Sequence, residues 1–81
     1  MSTATVFELS DTSKVTLSQQ LRARRAVLGW TQRKLGEKAG IHHRTVQAIE
    51  REQSAANLDT LDSLATAFGC EAWHLLKPVD I

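Results

Sequence analysis

Apolar residues recur along most of this chain at the three- and four-residue spacing that lets a helix bury one face. In the first such segment Leu17, Leu21 and Leu28 share a face, and Arg25 takes the remaining position on it. The segment ends at Gly29, a residue suited to the C-terminal end of a helix. A charge on an inner face is unfavourable unless it is paired, so Arg25 is expected to have an acidic partner.

The residues before this helix show no helical period and are mostly small, polar or β-branched (MSTATVFELSDTSKV). We predict a flexible arm over residues 1–15, with a short strand over residues 5–9. Thr16 is then the N-terminal cap of the first helix. This divides the chain into the arm, a helical domain over residues 16–77 and a short tail over residues 78–81.

Two short helices are predicted next, over residues 32–39 and 43–51. Thr31 caps the first of them, and Gly40 ends it in a sharp turn. The sequence favours four inner positions on this pair of helices, namely Leu35, Ala39, Val46 and Ile49.

Two more helices complete the predicted all-α fold. Asn57 caps a helix that ends at Gly69, and a last short helix over residues 71–76 stops before Pro78. The apolar positions of the fourth helix are Leu58, Leu61, Leu64, Ala65 and Phe68. Trp30 is expected in the core between the first two helices.

Composition limits the class of protein. A chain of 81 residues has room for one domain, and 42% hydrophobic against 23% charged residues argue against disorder. The lone Cys70 cannot form an internal disulfide and is expected to pack in the core. No signal peptide and no run of ~20 apolar residues is evident, so we predict a cytoplasmic protein without a membrane partner.

The net charge of +1 hides a division of the chain into a basic segment and acidic flanks. Residues 22–51 carry eight basic and two acidic side chains, a net of +6, and the remainder carries a net of −5. Such an asymmetry points the basic segment toward a polyanion. An ordinary solvated surface would carry the same charges, so charge alone does not decide the function.

Residues 31–51 (TQRKLGEKAGIHHRTVQAIER) have the pattern of two helices joined by a tight turn. Gly36 lets the third helix approach the second closely, and Gly40 with the apolar Ile41 sets a steep crossing. The outer face of the third helix is then polar and free to enter the major groove of DNA.

The strings LRARRAVLGWTQRKLGEKAGI, TVQAIER and LDSLATAFGC, with their relative spacing, resemble the phage-repressor and Cro type of helix-turn-helix protein, the xenobiotic-response-element family. The resemblance covers residues 17–76. It implies a compact five-helix domain like that of lambda repressor. It also implies a transcriptional regulator, a repressor, that binds double-stranded DNA sequence-specifically and so associates with the nucleoid.

The DNA contacts of the family carry over to matching positions of this chain. Four outward residues of the third helix are expected to face base edges, namely His43, Arg44, Gln47 and Ala48. Four more are expected to meet backbone phosphates, namely Gln32, Arg33, Thr45 and Arg51. The fork of Arg44 can bond O6 and N7 of guanine together, and Gln47 suits adenine. For His43 a base contact and a phosphate contact both stay open, and a solvated side chain is the alternative throughout.

Arg25 and Glu50 are predicted to form a structural brace rather than DNA contacts. Both fall on inner faces by their spacing, and their charges are opposite. They match a family ion pair between the first and third helices. The family glutamine at Gln32 also braces the recognition helix.

Three positions depart from the family pattern. Glu52 stands where glycine often follows the third helix, which removes the residue best suited to a left-handed cap and adds a negative charge. Gly36 replaces the usual alanine, and His42 replaces the usual capping serine. These departures bear most directly on the phosphate contacts expected over residues 50–54.

An enzyme is not predicted, because no nucleophile, base and orienting residue cluster in the sequence. Cys70 and His74 supply only half of a zinc site, so no metal and no cofactor are expected. A more serious alternative to a repressor is an antitoxin, which binds its own operator and holds a toxin protein with another surface.

Extra apolar residues near both ends of the chain suit either a partner or a second copy. In the arm these are Val6, Phe7 and Leu9. We expect a homodimer, since two recognition helices about one DNA turn apart (~34 Å) strengthen specific binding. The interface candidates are Trp73, Leu76, Val79 and Ile81. Packing of Trp73 within its own monomer is the alternative.

Overall fold

The computed structural model describes residues 11–54 and 56–78, which form four α-helices followed by a 3-10 helix. The helices are α1 (Asp11–Leu28), α2 (Gln32–Ala39), α3 (His43–Glu50) and α4 (Leu58–Phe68), and the 3-10 helix spans Ala72–Leu76. These described residues contain no strand, which agrees with the all-α prediction. None of their helices is long and apolar enough to cross a membrane.

The helix α1 begins at Asp11, five residues before its predicted start. Residues 11–15 of the predicted arm are therefore helical, and the assignment of Thr16 as an N-terminal cap is wrong. The first turn of the helix, DTSK, is polar and carries no apolar period that marks it as helical. The remainder of the predicted arm, with its strand at residues 5–9, lies outside the described residues.

Apolar side chains from all four α-helices and the 3-10 helix meet in one core. Its buried members include Leu17, Leu21, Leu35, Val46, Ile49, Leu61, Leu64, Ala65 and Leu75. Trp30 and Cys70 are half-buried against this core as predicted, and Trp30 stacks on Phe68 with ring centroids 5.8 Å apart. Two predicted inner residues, Leu28 and Leu58, are instead 47% and 58% exposed. Each is the terminal residue of its helix, where the apolar stripe runs past the core.

The close packing of α2 against α3 depends on the missing side chain at position 36. A Cβ atom on Gly36 would lie 2.7 Å from the carbonyl oxygen of Ile41 and 3.1 Å from the backbone nitrogen of His43. Both neighbours are backbone atoms, so an alanine would push the start of α3 away from α2. The glycine has the role that the sequence predicted for it.

All four α-helices end in the same pair of backbone hydrogen bonds, which places a left-handed residue just after the helix. After α2 that residue is Gly40, and Gly29 and Gly69 follow α1 and α4. After α3 it is Glu52, with a φ of 62°. The N–H groups of Glu52 and Gln53 donate to carbonyls of α3 at 3.0 and 2.9 Å. Glu52 thus holds a conformation that favours glycine while carrying a side chain.

Replacing Glu52 with glycine is expected to stabilise the protein. A side chain in the left-handed conformation costs about 1–2 kcal/mol. The greater freedom of glycine in the unfolded chain offsets part of the gain, which leaves a rise of about 0.5–1 kcal/mol in the free energy of unfolding. Urea denaturation measures this difference. Glu52→Gln is the control, since it removes the charge but keeps the Cβ atom, and equal stabilisation by both variants would contradict the backbone explanation.

Candidate nucleic-acid interface

The carboxylate of Glu50, at the end of α3, is buried between helices, with 4% of its side chain exposed. Arg25 of α1 meets it with two nitrogens of its guanidinium. Nε lies 2.7 Å from Oε2, and Nη2 lies 2.8 Å from Oε1. The structure thus brings together the two residues that the sequence paired, in a bidentate geometry that fixes both side chains.

The same carboxylate is also bonded to α2, because Nε2 of Gln32 lies 3.0 Å from Oε1 of Glu50. Arg25 in turn donates from Nη1 to the carbonyl of Trp30, at 2.8 Å, between α1 and α2. Hydrogen bonding to Glu50 raises the pKa of Arg25, partial burial opposes this, and the negative charge of Glu50 adds to the rise. The guanidinium therefore stays charged, and one buried acidic group joins three helices.

Sequence reasoning missed two further contacts to Glu50, both made to its backbone carbonyl. The hydroxyl of Ser18 donates to this oxygen at 2.6 Å, and Arg22 donates to it through Nη2. The last carbonyls of a helix lack partners within the helix, so these donors cap the end of α3. A sequence signal exists, because positions 18, 22 and 25 follow one another at helical spacing along α1.

Three of the four predicted base contacts, Arg44, Gln47 and Ala48, lie on the side of α3 that faces away from the core. His43 is half-buried and lies seven residues before Glu50, on nearly the same side of the helix as that buried residue. The buried residues of this helix are Val46, Ile49 and Glu50. A rotation of about 100° per residue puts Arg44 and Ala48 on the opposite side, with Gln47 beside them. Arg44 is exposed, and Gln47 and Ala48 are half-buried. This arrangement leaves the guanidinium of Arg44 available to a ligand.

An imidazole caps the N-terminal end of α3. Nδ1 of His42 accepts a hydrogen bond from the backbone N–H of Arg44 at 3.0 Å, so His42 takes over the role of the expected serine. The rings of His42 and His43 stack with centroids 4.5 Å apart. Desolvation, followed by electrostatic interaction with Arg33, His42 and Arg44, lowers the pKa of His43 and so favours a neutral ring.

The residues predicted to contact phosphate lie along α2 and α3. Arg33 is exposed near the start of α2, and Arg51 is exposed directly after α3. Thr45 is half-buried on α3. Gln32 is half-buried, and its side chain is bonded to Glu50, which matches the bracing role that the family resemblance implies.

The basic residues of the segment 22–51 do not all lie on the side of the domain that carries the predicted DNA contacts. The guanidinium carbon of Arg24 lies 5.9 Å from the ring centroid of Phe68, at the junction of α1 and α4. Lys38 lines a surface depression with Asp59 and Asp62 of α4. The net charge of the basic segment therefore overstates the charge of the candidate interface.

The family model described as helix-turn-helix matches residues 21–72, more than half of the chain. The chain belongs to the helix-turn-helix family. This membership confirms the resemblance from which the site residues were assigned. It also supports the prediction that this helix-turn-helix protein is not an enzyme.

Relatives of this helix-turn-helix chain include a protein from Neisseria. The hypothetical transcription factor of Neisseria meningitidis serogroup B is 31% identical over 65 residues, which are 80% of this chain and 61% of that protein. This chain thus matches about three fifths of the length of the curated relative. The crystal structure of the hypothetical transcription factor NHTF from Neisseria matches with a TM-score of 0.78 and 31% identity, over 90% of this chain and 86% of that chain.

Two solved regulators also share the fold. The restriction-modification controller protein C.AhdI from Aeromonas hydrophila matches with a TM-score of 0.72 and 32% identity, over 76% of this chain and 94% of that chain. The c2 repressor of P22, crystallised in complex with a synthetic operator, matches with a TM-score of 0.71 and 30% identity, over 78% of this chain and 96% of that chain. The fold is that of the lambda-repressor-like helix-turn-helix domains.

The residues predicted for a dimer interface lie around and beyond the 3-10 helix. Trp73 is 59% exposed, and its ring stacks on His74 with centroids 3.9 Å apart. Leu76 is half-buried. Val79 and Ile81 lie outside the described residues. The exposed indole is therefore available to a second copy.

Removing the Glu50 side chain is expected to destabilise the fold strongly. Glu50→Ala leaves the guanidinium of Arg25 and the amide of Gln32 without their partner, which should lower the free energy of unfolding by about 3–5 kcal/mol. If Glu50→Ala does not fold, Glu50→Gln can be measured instead, because it removes the charge of the side chain and keeps its shape.

The matched control for this prediction is Glu37→Ala, which removes an exposed acid from α2. It should change the free energy of unfolding by less than about 0.5 kcal/mol. Thermal unfolding followed by circular dichroism compares the variants. A melting temperature for Glu50→Ala equal to that of the wild type would contradict the brace.

Proposed function

We propose that this chain is a transcriptional regulator, a repressor, that binds double-stranded DNA sequence-specifically with α3 in the major groove. The observation that carries the proposal is the orientation of α3. Buried Glu50 holds its inner side, and Arg44 projects from the opposite side with Gln47 beside it. A helix that presents such groups matches the width of the major groove and the donors and acceptors of its base edges.

Contacts to the DNA backbone would set the register of α3 on the duplex. Arg33 and Arg51 supply exposed positive charge, and the first N–H groups of α2 favour a phosphate. Gln32 is the first residue of α2, and its amide is bonded to Glu50. A phosphate bound at this helix end would therefore sit against a side chain that also holds α3 in place.

The repressor assignment draws support from the relatives. The c2 repressor of P22 was crystallised on an operator, and the match to this chain covers 96% of that repressor chain. C.AhdI is a controller protein of a restriction-modification system, and 94% of it is covered.

The proposed complex contains two copies of the chain. One α3 of eight residues buries little surface, and two copies place their recognition helices about one DNA turn apart, ~34 Å. The exposed indole of Trp73, with Leu76 next to it in the 3-10 helix, supports an interface at this end of the domain.

Selection of bound duplexes from a random pool tests the proposed function. We expect a recovered operator of two symmetry-related half-sites separated by one helical turn, about 10 base pairs. The double variant Arg44→Ala, Gln47→Ala serves as the control and should recover no common site. Failure of the wild-type protein to enrich any sequence would overturn the proposal.

The antitoxin alternative adds a toxin partner to the same DNA-binding activity. Its test is co-purification, because an antitoxin isolated from its own cells should carry its toxin in a fixed ratio. Isolation of the full chain without such a partner, together with operator binding, would favour the repressor.

Arg44→Ala and Arg33→Ala are expected to weaken operator binding in different ways. Loss of a bidentate base contact at Arg44 should cost about 1–3 kcal/mol and relax the preference at one operator position. Loss of a phosphate contact at Arg33 should weaken all sequences alike and reduce the dependence of log Kd on log salt by about 1. Fluorescence anisotropy with operator and scrambled duplexes, at several salt concentrations, distinguishes the loss of a base contact from the loss of a phosphate contact. Identical behaviour of the variants would contradict the division into base and phosphate contacts.

DNA affinity is expected to rise as the pH falls toward and below the ordinary histidine pKa of about 6.5. The pKa of His43 is lowered in the free protein by desolvation and by electrostatic interaction with Arg33, His42 and Arg44, which favours a neutral ring before DNA binds. Nearby phosphates favour the protonated ring, so binding takes up a proton and acid strengthens it. Anisotropy titrations over a pH series should show this slope in the wild type and less of it in His43→Gln.

The variant His42→Ser controls for the second histidine in this pH series. It keeps a side-chain acceptor at the start of α3 but carries no titratable ring. Equal pH slopes for wild type and His43→Gln would show that His43 takes up no proton, as expected if its neutral ring bonds a base.

A further inference from the structure

Apolar side chains form an open groove between the C-terminal half of α1 and the segment that follows α4. The groove has a volume of about 450 Å³. Ala23, Val27 and Leu28 of α1 line it together with Phe68 of α4. Val27 is 86% exposed and Leu28 is 47% exposed, so apolar surface faces solvent here. Neither residue is used by the core or by the proposed DNA contacts.

The charged residues that line this groove are basic. Arg24 and Lys77 belong to the lining, and the described lining residues include no acid. The guanidinium of Arg24 is held above the apolar surface, because its Nε donates to Oε1 of Gln20 at 3.0 Å and its carbon lies 5.9 Å from the centroid of Phe68. A complementary occupant is therefore both apolar and acidic.

The groove faces away from α3. Ser18, Arg22 and Arg25 mark the side of α1 that is bonded to Glu50 of α3. The groove residues 20, 24 and 27 each lie two positions after one of these three residues. Two positions correspond to a rotation of about 200° around the helix, so the groove lies on nearly the opposite side of α1. A ligand in the groove would thus leave the proposed DNA-binding side of the domain open.

One stretch of this sequence has the required chemistry. Residues 6–9 read Val-Phe-Glu-Leu, and Asp11 follows shortly after them. In an extended segment Phe7 and Leu9 would project to one side and Glu8 to the other. Apolar side chains could then lie on the floor of the groove while the carboxylate stays near its basic rim.

This stretch cannot reach the far end of the groove, where Val27 and Leu28 lie, in its own chain. Val27 lies sixteen residues along α1 from Asp11, which is about 24 Å at the rise of a helix. Phe7 precedes Asp11 by four residues, which span at most about 14 Å when fully extended. A copy of this segment that covers Val27 and Leu28 must therefore come from another molecule.

We propose that the groove binds residues 6–9 of a second copy of this chain. Phe7 and Leu9 cover Val27 and Leu28, and Glu8 lies beside Arg24 or Lys77. A two-fold axis that sets the two α1 helices antiparallel brings the start of each helix near the groove of the other, so the exchange is reciprocal. The proposal goes beyond the DNA-binding function and uses no residue of α3.

Sedimentation equilibrium of the full chain without DNA tests the proposal. Phe7→Glu alters the segment, and Val27→Glu alters the groove at a side chain that is 86% exposed, so the fold should tolerate the change. Each variant should raise the dissociation constant of the dimer by at least about tenfold. Ala26→Glu adds the same charge at the neighbouring exposed position, outside the groove lining, and should leave self-association unchanged.

A mixture of the two variants gives the sharper result. The Val27→Glu protein keeps an intact segment, and the Phe7→Glu protein keeps an intact groove. One of the two exchanged contacts is therefore restored in the mixed dimer, which should form more readily than either homodimer. Circular dichroism melting curves confirm that both variants are folded before mixing.

Three results would overturn the proposal. These are a wild-type chain that stays monomeric at high micromolar concentration, variants that self-associate like the wild type, and a mixture that associates no better than its components. In any of these cases residues 6–9 of a second copy do not occupy the groove. Because the measurement contains no DNA, its failure is distinguishable from failure of the proposed repressor function.

Discussion

The carboxylate of Glu50 is the constraint on which the orientation of α3 depends. It accepts two hydrogen bonds from Arg25 of α1 and one from Gln32 of α2. A buried ion pair often adds little net stability compared with apolar side chains of the same shape. Its effect is to make one geometry favourable, because any rotation or sliding of α3 separates buried charges. The apolar core alone, with its non-directional contacts, would tolerate small displacements of this helix more readily.

The buried pair of Arg25 and Glu50 also determines where the positive charge of residues 22–51 is located. Arg25 and Glu50 cancel each other in the interior, so the excess positive charge of the segment is carried by side chains at the surface. Gln32 links the buried ion pair to the surface, because it is the first residue of α2 and its side chain donates a hydrogen bond to Glu50. Contacts made outside by α2 and the direction of α3 are therefore mechanically related through a single side chain.

The parts of the fold with strong local signals were predictable from sequence. Thr31 and Asn57 each accept a hydrogen bond from a backbone N–H three residues on, which is the capping role assigned to them. The start of α1 was missed because its first turn is polar. Leu28 and Leu58 were predicted to be buried because periodicity does not show where the apolar face of a helix extends beyond the core. Ser18 and Arg22 were missed for a different reason. Their partner is a backbone carbonyl, and pairing rules based on side-chain charge do not include backbone acceptors.

Both ends of α3 use residues that depart from the family pattern, and the internal pair makes this tolerable. At the N-terminal end the ring of His42 accepts the bond that a serine hydroxyl usually accepts. At the C-terminal end Glu52 adopts a left-handed conformation that suits glycine. Caps of this kind contribute to the stability of a helix, but they do not determine its direction relative to other helices. Because Glu50 and the donors from α1 and α2 fix that direction from inside, sequence change at the two ends alters the charge around α3 without turning its outer face.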